Sequence, residues 1–185
     1  MIILGVDPGT LITGYGVIES RNGVVKAIAY DAIKNDSRKS MPLRLKTIFE
    51  TLNDVINRFH PDEFAIETAF YGKNAQSALK LGHARGVSML AAVLHEIPVG
   101  EYSPREVKKA VVGKGTASKD QVQYMIKSLL DLKYTPKYYD TTDALAVAIC
   151  HLHRFKPGGK NVKSWKAFVS AHPEKIVSLT SGRKK

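Results

Sequence analysis

Ile2-Ile3-Leu4-Gly5-Val6-Asp7-Pro8-Gly9-Thr10, with Thr13-Gly14-Tyr15-Gly16 just beyond it, is the stretch whose reading decides the fold. An apolar run that ends in a carboxylate and is turned sharply by Pro8-Gly9 predicts a buried strand delivering Asp7 to a sheet edge. Two more apolar runs, Tyr15 to Glu19 and Val24 to Ile33, are divided by Asn22-Gly23, a two-residue hairpin signal. The three runs predict a strand meander. Beyond them Leu45, Ile48, Phe49, Leu52, Val55 and Ile56 recur at steps of three and four, which predicts a helix from Pro42 to Phe59 closed by Pro61. Glu63 to Glu67 reads as a fourth, buried strand and Ile97 to Tyr102 as a fifth. Residues 74 to 95 read as a long helix between them, and Pro104 to Val112, Ser118 to Leu132 and Asp140 to His153 as the remaining helices.

This order is an α/β pattern in which an antiparallel meander feeds parallel strands, so the expected architecture is a five-stranded mixed sheet flanked by helices, similar to ribonuclease-H-like domains. With 185 residues the chain has length enough for one core without staples. A single cysteine, Cys150, excludes an intramolecular disulfide framework and fits a cytoplasmic location. Asp7 comes too early for a signal-peptide core, and no apolar run approaches membrane-spanning length. Net charge is +11, unevenly spread: residues 154–185 hold nine basic residues against one acid, Glu174. Pro157-Gly158-Gly159 marks the end of the helical period, so the reading is a compact domain over 1–155 and a basic extension over 156–185. Trp165, Phe168, Ile176, Val177 and Leu179 leave room for a short docked helix in that extension. Such a charge balance suits a polyanionic partner or a merely solvated surface.

Four acids carry the candidate chemistry. Asp7 and Glu67 each end an apolar strand, which places both at one edge of the sheet, where α/β folds collect ligands. Asp140 and Asp143 are three residues apart at the start of the last helix, so both face one way. Separately each has an ordinary explanation, as a turn residue, a strand end or a pair favoured by the helix dipole. Four converging carboxylates cannot all stay ionised without a cation, and hard oxygen ligands select magnesium, or manganese in its place, over zinc. A shared cluster of four fits two ions bridged by a phosphodiester. Phe70-Tyr71, directly after Glu67, is an aromatic pair able to stack on an unpaired base or wedge between strands, or to sit in the core. Lys73, Lys109 and Lys114 extend a basic surface around it. The small residues Ala75, Ala78, Gly82, Gly86 and Ala92 form a stripe on the second helix that packs on the sheet or forms a seam with another chain. Cys150, His151 and His153 diverge on a helix and are not read as a metal site.

Gly5-Val6-Asp7-Pro8-Gly9-Thr10, Thr13-Gly14-Tyr15-Gly16, Ala65-Ile66-Glu67, Lys73-Asn74-Ala75-Gln76-Ser77-Ala78-Leu79-Lys80-Leu81-Gly82, Val107-Lys108, Val111-Val112-Gly113-Lys114-Gly115 and Asp140-Thr141-Thr142-Asp143-Ala144 follow in the order seen in the RuvC family of bacterial Holliday-junction resolvases, which residues 1–153 resemble. The resemblance implies a ribonuclease-H-like homodimer that makes paired, magnesium-dependent incisions in a four-way junction. It assigns the metal and the chemistry to Asp7, Glu67, Asp140 and Asp143, the all-carboxylate version of a site whose third position is histidine in some members. It favours Phe70 as the junction-facing ring and implies that Lys108 and Lys119 touch DNA near the scissile phosphate. It also implies cooperation with the RuvA–RuvB branch-migration machinery. A symmetric pair of cuts needs two sites related by an isologous interface, so Ala78, Gly82 and Gly86 are read as the dimer seam.

Two other functions stay open from the residues. Gly5-x-Asp7-x-Gly9-Thr10 with Gly14 resembles the first phosphate loop of actin-like nucleotide phosphotransferases, although Tyr15-Gly16 stands where a Walker loop needs Lys-Ser/Thr. A non-catalytic junction-binding protein is the other, and all four acidic positions being filled argues against it.

Overall fold

The computed structural model describes residues 1–68 and 75–154. The predicted aromatic pair Phe70 and Tyr71, Lys73, and the basic extension lie outside the described residues. Five strands form one sheet in the order β3-β2-β1-β4-β5: β1 (Ile2–Asp7), β2 (Ile12–Arg21), β3 (Val24–Lys34), β4 (Glu63–Glu67) and β5 (Val99–Tyr102). The first three are antiparallel, and β4 and β5 continue parallel to β1. The meander is as the sequence predicts, with Asn22 and Gly23 both at positive φ, as a tight twisted hairpin requires. Strand β2 is longer than its apolar run because its ends, Ile12–Gly14 and Ser20–Arg21, are carried along by ladder pairing with β1 and β3.

The helices are α1 (Met41–Phe59), α2 (Ala75–Leu94), α3 (Pro104–Val112), α4 (Lys119–Leu129) and α5 (Tyr139–Arg154). Local chemistry sets their ends: Ser103 with Glu106, and Ser118 with Gln121, close reciprocal capping boxes at α3 and α4. Helix α5 starts at Tyr139, one residue earlier than predicted, and Asp140 lies in its first turn.

Alternation along the strands sorts side chains between two cores. Leu4, Val6, Phe64 and Ile66 pack with α1 and α2 residues such as Ile48, Leu52, Ala84 and Ala91. Ile3 and Ala65 join the other core with Leu145, Val147, Ile149, Val107 and Ile126, from α5, α3 and α4. The period of two therefore places Asp7, two residues beyond Gly5, and Glu67, two beyond Ala65, on the α5 face. Helix α5 comes unusually close to that face. A Cβ at Gly5 would lie 2.1 Å from the Ala144 carbonyl oxygen, and one at Gly14 would lie 1.9 Å from that of Asp140. At the far end of α5 the Tyr102 hydroxyl is 2.8 Å from His151 Nδ1, and His151 Nε2 is 3.5 Å from a Glu63 carboxylate oxygen. Burial pulls the His151 pKa down, so the ring stands neutral between them. His151 turns inward to Tyr102 while His153 is exposed, so these two side chains diverge.

One position of the predicted small-residue stripe is corrected. Ala92 is buried with Ala84, Ser88 and Ala91 on the core side of α2, whereas Ala75, Gly82 and Gly86 are exposed; a stripe spanning both sides of a helix cannot be one surface.

Because the clash at Gly5 is with backbone, Gly5→Ala is expected to cost about 3 kcal/mol, or roughly 6–12 °C in Tm. Thermal unfolding by circular dichroism checks this, and a melting curve within a degree of the parent would contradict such a close α5–β1 contact.

Candidate active site

The parallel register pairs Val6 with Ile66, so Asp7 and Glu67 leave adjacent strands side by side. Across them lies the first turn of α5, held down at Gly14 and Gly5, which brings Asp140 and Asp143 to the same edge. Asp7, Glu67 and Asp143 line a cavity of about 210 Å³ together with Lys108, Lys119, Pro104, Val107 and Val122. Asp140 does not line it, but its charge acts on both Asp7 and Asp143. All four predicted acids thus come into one electrostatic unit. Of the predicted lysines, Lys108 and Lys119 lie on the cavity wall, while Lys114 and Lys109 are exposed and outside it.

Burial pushes the Glu67 carboxyl up to about 7, with repulsion from Asp143 adding to it. The Asp7 carboxyl is held well above its usual range by burial first, then by the charges of Glu67, Asp143 and Asp140. Asp143 is raised by burial against the opposing pull of Lys119, whose ammonium lies 3.2 Å from its Oδ2. Lys119 itself titrates above its usual value, because Asp143, Asp7 and Asp140 outweigh the downward pull of burial. Lys119 is also placed by its neighbours: Ser118 caps its helix, and its Nζ stands 5.8 Å from the Tyr139 ring centroid, whose hydroxyl donates to Asp120 at 2.6 Å.

A cavity whose acids all resist ionisation is chemically suited to a divalent cation, which would remove the repulsion. Among the described residues, no three His, Cys, Asp or Glu side chains already close on a single point as a cage. The apolar wall of Pro104, Val107 and Val122 was not read from the sequence.

A sheet with three antiparallel strands leading into two parallel ones, crossed by a final helix over the strand ends, defines a ribonuclease-H-like fold. The model of the family described as crossover junction endodeoxyribonuclease RuvC matches residues 3–151. A protein of that description from Salinibacter ruber is 46% identical over 177 residues, 95% of this chain and 99% of that one. Another, from Desulforamulus reducens, is 49% identical over 163 residues, 88% of this chain and 100% of that one. The solved structure of Thermus thermophilus RuvC in complex with a Holliday junction substrate matches with a TM-score of 0.78 at 31% identity, covering 82% of this chain and 93% of that one. The chain belongs to the crossover junction endodeoxyribonuclease RuvC family.

The raised Glu67 gives a signed pH effect. Its native pKa of about 7 exceeds its unfolded value, so it costs stability as pH rises from about 4.5 to 7, in metal-free protein. Glu67→Gln is therefore expected to raise Tm by a few degrees at pH 7.5 in EDTA and to leave it nearly unchanged at pH 4.5. Calorimetry at the two pH values checks this; equal shifts at both would contradict it.

Proposed function

We propose that this chain, as a homodimer, resolves four-way DNA junctions by paired, symmetric, metal-dependent hydrolysis of phosphodiester bonds in recombination and repair. The observation that carries this reading is the single cavity lined by Asp7, Glu67 and Asp143, with Asp140 behind them and lysines on its rim.

Asp7, Glu67, Asp140 and Asp143 are the residues that would hold two divalent ions, magnesium with manganese as a substitute. Bound there, the ions supply a nucleophile at neutral pH and stabilisation of the charge on the leaving oxygen. The chain's own groups do the rest. Adjacent strand ends fix Asp7 and Glu67 relative to each other, and the backbone contact of α5 at Gly5 and Gly14 fixes the other two acids against them. Lys119 and Lys108 present positive charge to the phosphodiester where negative charge builds up in the reaction. Pro104, Val107 and Val122 keep one wall dry, which strengthens those interactions. Water adds to phosphorus, the bond to the 3′-oxygen breaks, and that oxygen leaves protonated, so the products are a 5′-phosphate and a 3′-hydroxyl.

Symmetric cutting requires two such cavities. The outer face of α2 supports the dimer reading: Cβ atoms at Gly82 and Gly86 would meet nothing, Ala78 lies on the same helix, and Leu79, Leu90, Val93 and Leu94 are exposed. An apolar helix face with close-approach positions suits a second copy of the chain. Phe70 or Tyr71, following Glu67 in sequence, is proposed as the wedge at the crossover, with Lys73 and Lys114 on the flanking DNA surface. The RuvA–RuvB branch-migration machinery is the proposed protein partner. We place the protein in the cytoplasm, the reducing compartment that its lone free cysteine suits; among the described residues no helix is long and apolar enough to cross a membrane.

Asp7→Asn is expected to lower junction cleavage by at least about a thousandfold while junction affinity, measured in EDTA, stays within about threefold of the parent. Parallel losses of binding and cleavage would overturn the role given to Asp7.

A further inference from the structure

Strand β3 ends at Lys34, whose register partner is Ile12 on β2, two residues before the Gly14 that packs on Asp140. Lys34 thus sits at the active edge of the sheet, on the β3 side of the acids, away from β4 and β5. The segment running into α5 reads Lys133-Tyr134-Thr135-Pro136-Lys137-Tyr138-Tyr139, alternating cations and aromatics next to Asp140. The two pieces meet at one ring. Lys34 Nζ is 5.1 Å from the Tyr138 ring centroid, and Lys137 Nζ is 5.6 Å from the same centroid. Both lysines are exposed and Tyr138 is half-buried, so the ring is a fixed platform and the ammoniums are accessible.

Two like charges gathered on one ring repel each other, and a folded protein would ordinarily offset that with a carboxylate. Here none does. Among the described residues neither Lys34 nor Lys137 has an acid within ion-pairing distance. The nearby Asp36 is bound by Arg38, and Asp31 accepts the Ala32 backbone N–H. Asp140, the acid nearest in sequence to Lys137, belongs electrically to the cavity through Asp7, Asp143 and Lys119. What would balance the pair is an anion from outside.

We propose that Lys34 and Lys137, oriented by the Tyr138 ring, form a second phosphate-binding flank of the active site. This flank grips the sugar-phosphate backbone of the DNA on the β3 side of the cut, opposite the flank of Lys108 and Lys119. The inference rests on the junction-cleaving reading, since only a strand lying across the acidic cavity reaches both flanks. Contacts of this kind carry no base information; they fix where the strand lies. With cations on both sides of the acids, the strand is held at two points and the scissile phosphate is centred over the carboxylates instead of pivoting about one contact.

The test uses the full chain, a labelled immobile four-way junction, EDTA to prevent cutting, and binding measured across a salt series. Lys34→Ala/Lys137→Ala is expected to weaken binding about fivefold or more and to flatten the plot of log affinity against log salt by one to two phosphate contacts, about 0.9 to 1.8 in slope. Tyr138→Ala is expected to weaken binding and Tyr138→Phe to leave it unchanged, since the ring and not the hydroxyl does the orienting. A control, Lys26→Ala/Lys46→Ala, removes the same charge at the opposite end of β3 and on α1, and is expected to keep the parent slope. A Lys34/Lys137 variant with the parent slope and affinity would overturn the proposal, and so would a control that falls as far. If the unaltered protein itself shows no salt-dependent junction binding, the function proposed above fails and this flank fails with it; the first two outcomes leave that function standing.

Discussion

The contact of α5 with bare backbone at Gly5 and Gly14 is the constraint from which the site follows. It brings a helix to a sheet at a distance no side chain would permit, and does so at the strand ends where Asp7 and Glu67 emerge. The acids of α5 are therefore set against those of β1 and β4 by main chain, the least compliant part of the molecule. The other end of the helix is tied by the buried Tyr102–His151–Glu63 group, with Gly100 leaving room for the imidazole. Glu63 and Glu67 lie on the same strand and face, so β4 contributes one carboxylate to the tether and another to the cavity. A helix fixed at both ends holds the acid cluster together against its own repulsion.

That repulsion is the second half of the account. Burial and crowding hold the Asp7 carboxyl well above its usual range and push Glu67 up to about 7, and Lys119 is the only cavity-wall cation among the described residues that closes an ion pair with one of the acids. A fold optimised for stability alone would fill this edge with apolar residues, as it does one residue earlier on the other face of the sheet with Val6 and Ile66. The energetic cost is concentrated where a phosphodiester and its cations would offset it. The lysines on both sides make the same edge attractive to a polyanion whose own charge the acids would otherwise repel.

Much of this was legible in the sequence, for identifiable reasons. Strand β4, helix α3 and the Asn22-Gly23 hairpin follow from period, proline and turn chemistry, all of which act locally. Asp7 and Glu67 stood out because a charge ending an apolar run is unusual. The limits of β2 were not legible, since its ends are strand only through pairing with neighbours. Nor was the side of α2 on which Ala92 falls, because a helix apolar over much of its circumference does not declare which face is inward. The Lys34–Tyr138–Lys137 group escaped notice since Lys34 lies about a hundred residues from the other two, although the alternation of lysine and tyrosine over residues 133–139 was a signal in plain view.

The four carboxylates are proposed to form a divalent-cation site under a DNA phosphate. Its most direct measurement is anomalous diffraction from crystals of the protein grown with manganese and a four-way junction carrying an uncleavable phosphate linkage. The account predicts manganese peaks within coordination distance of Asp7, Glu67 and the α5 acids, adjacent to that linkage. Junction bound with no peak at those carboxylates, or with manganese held elsewhere, would contradict it.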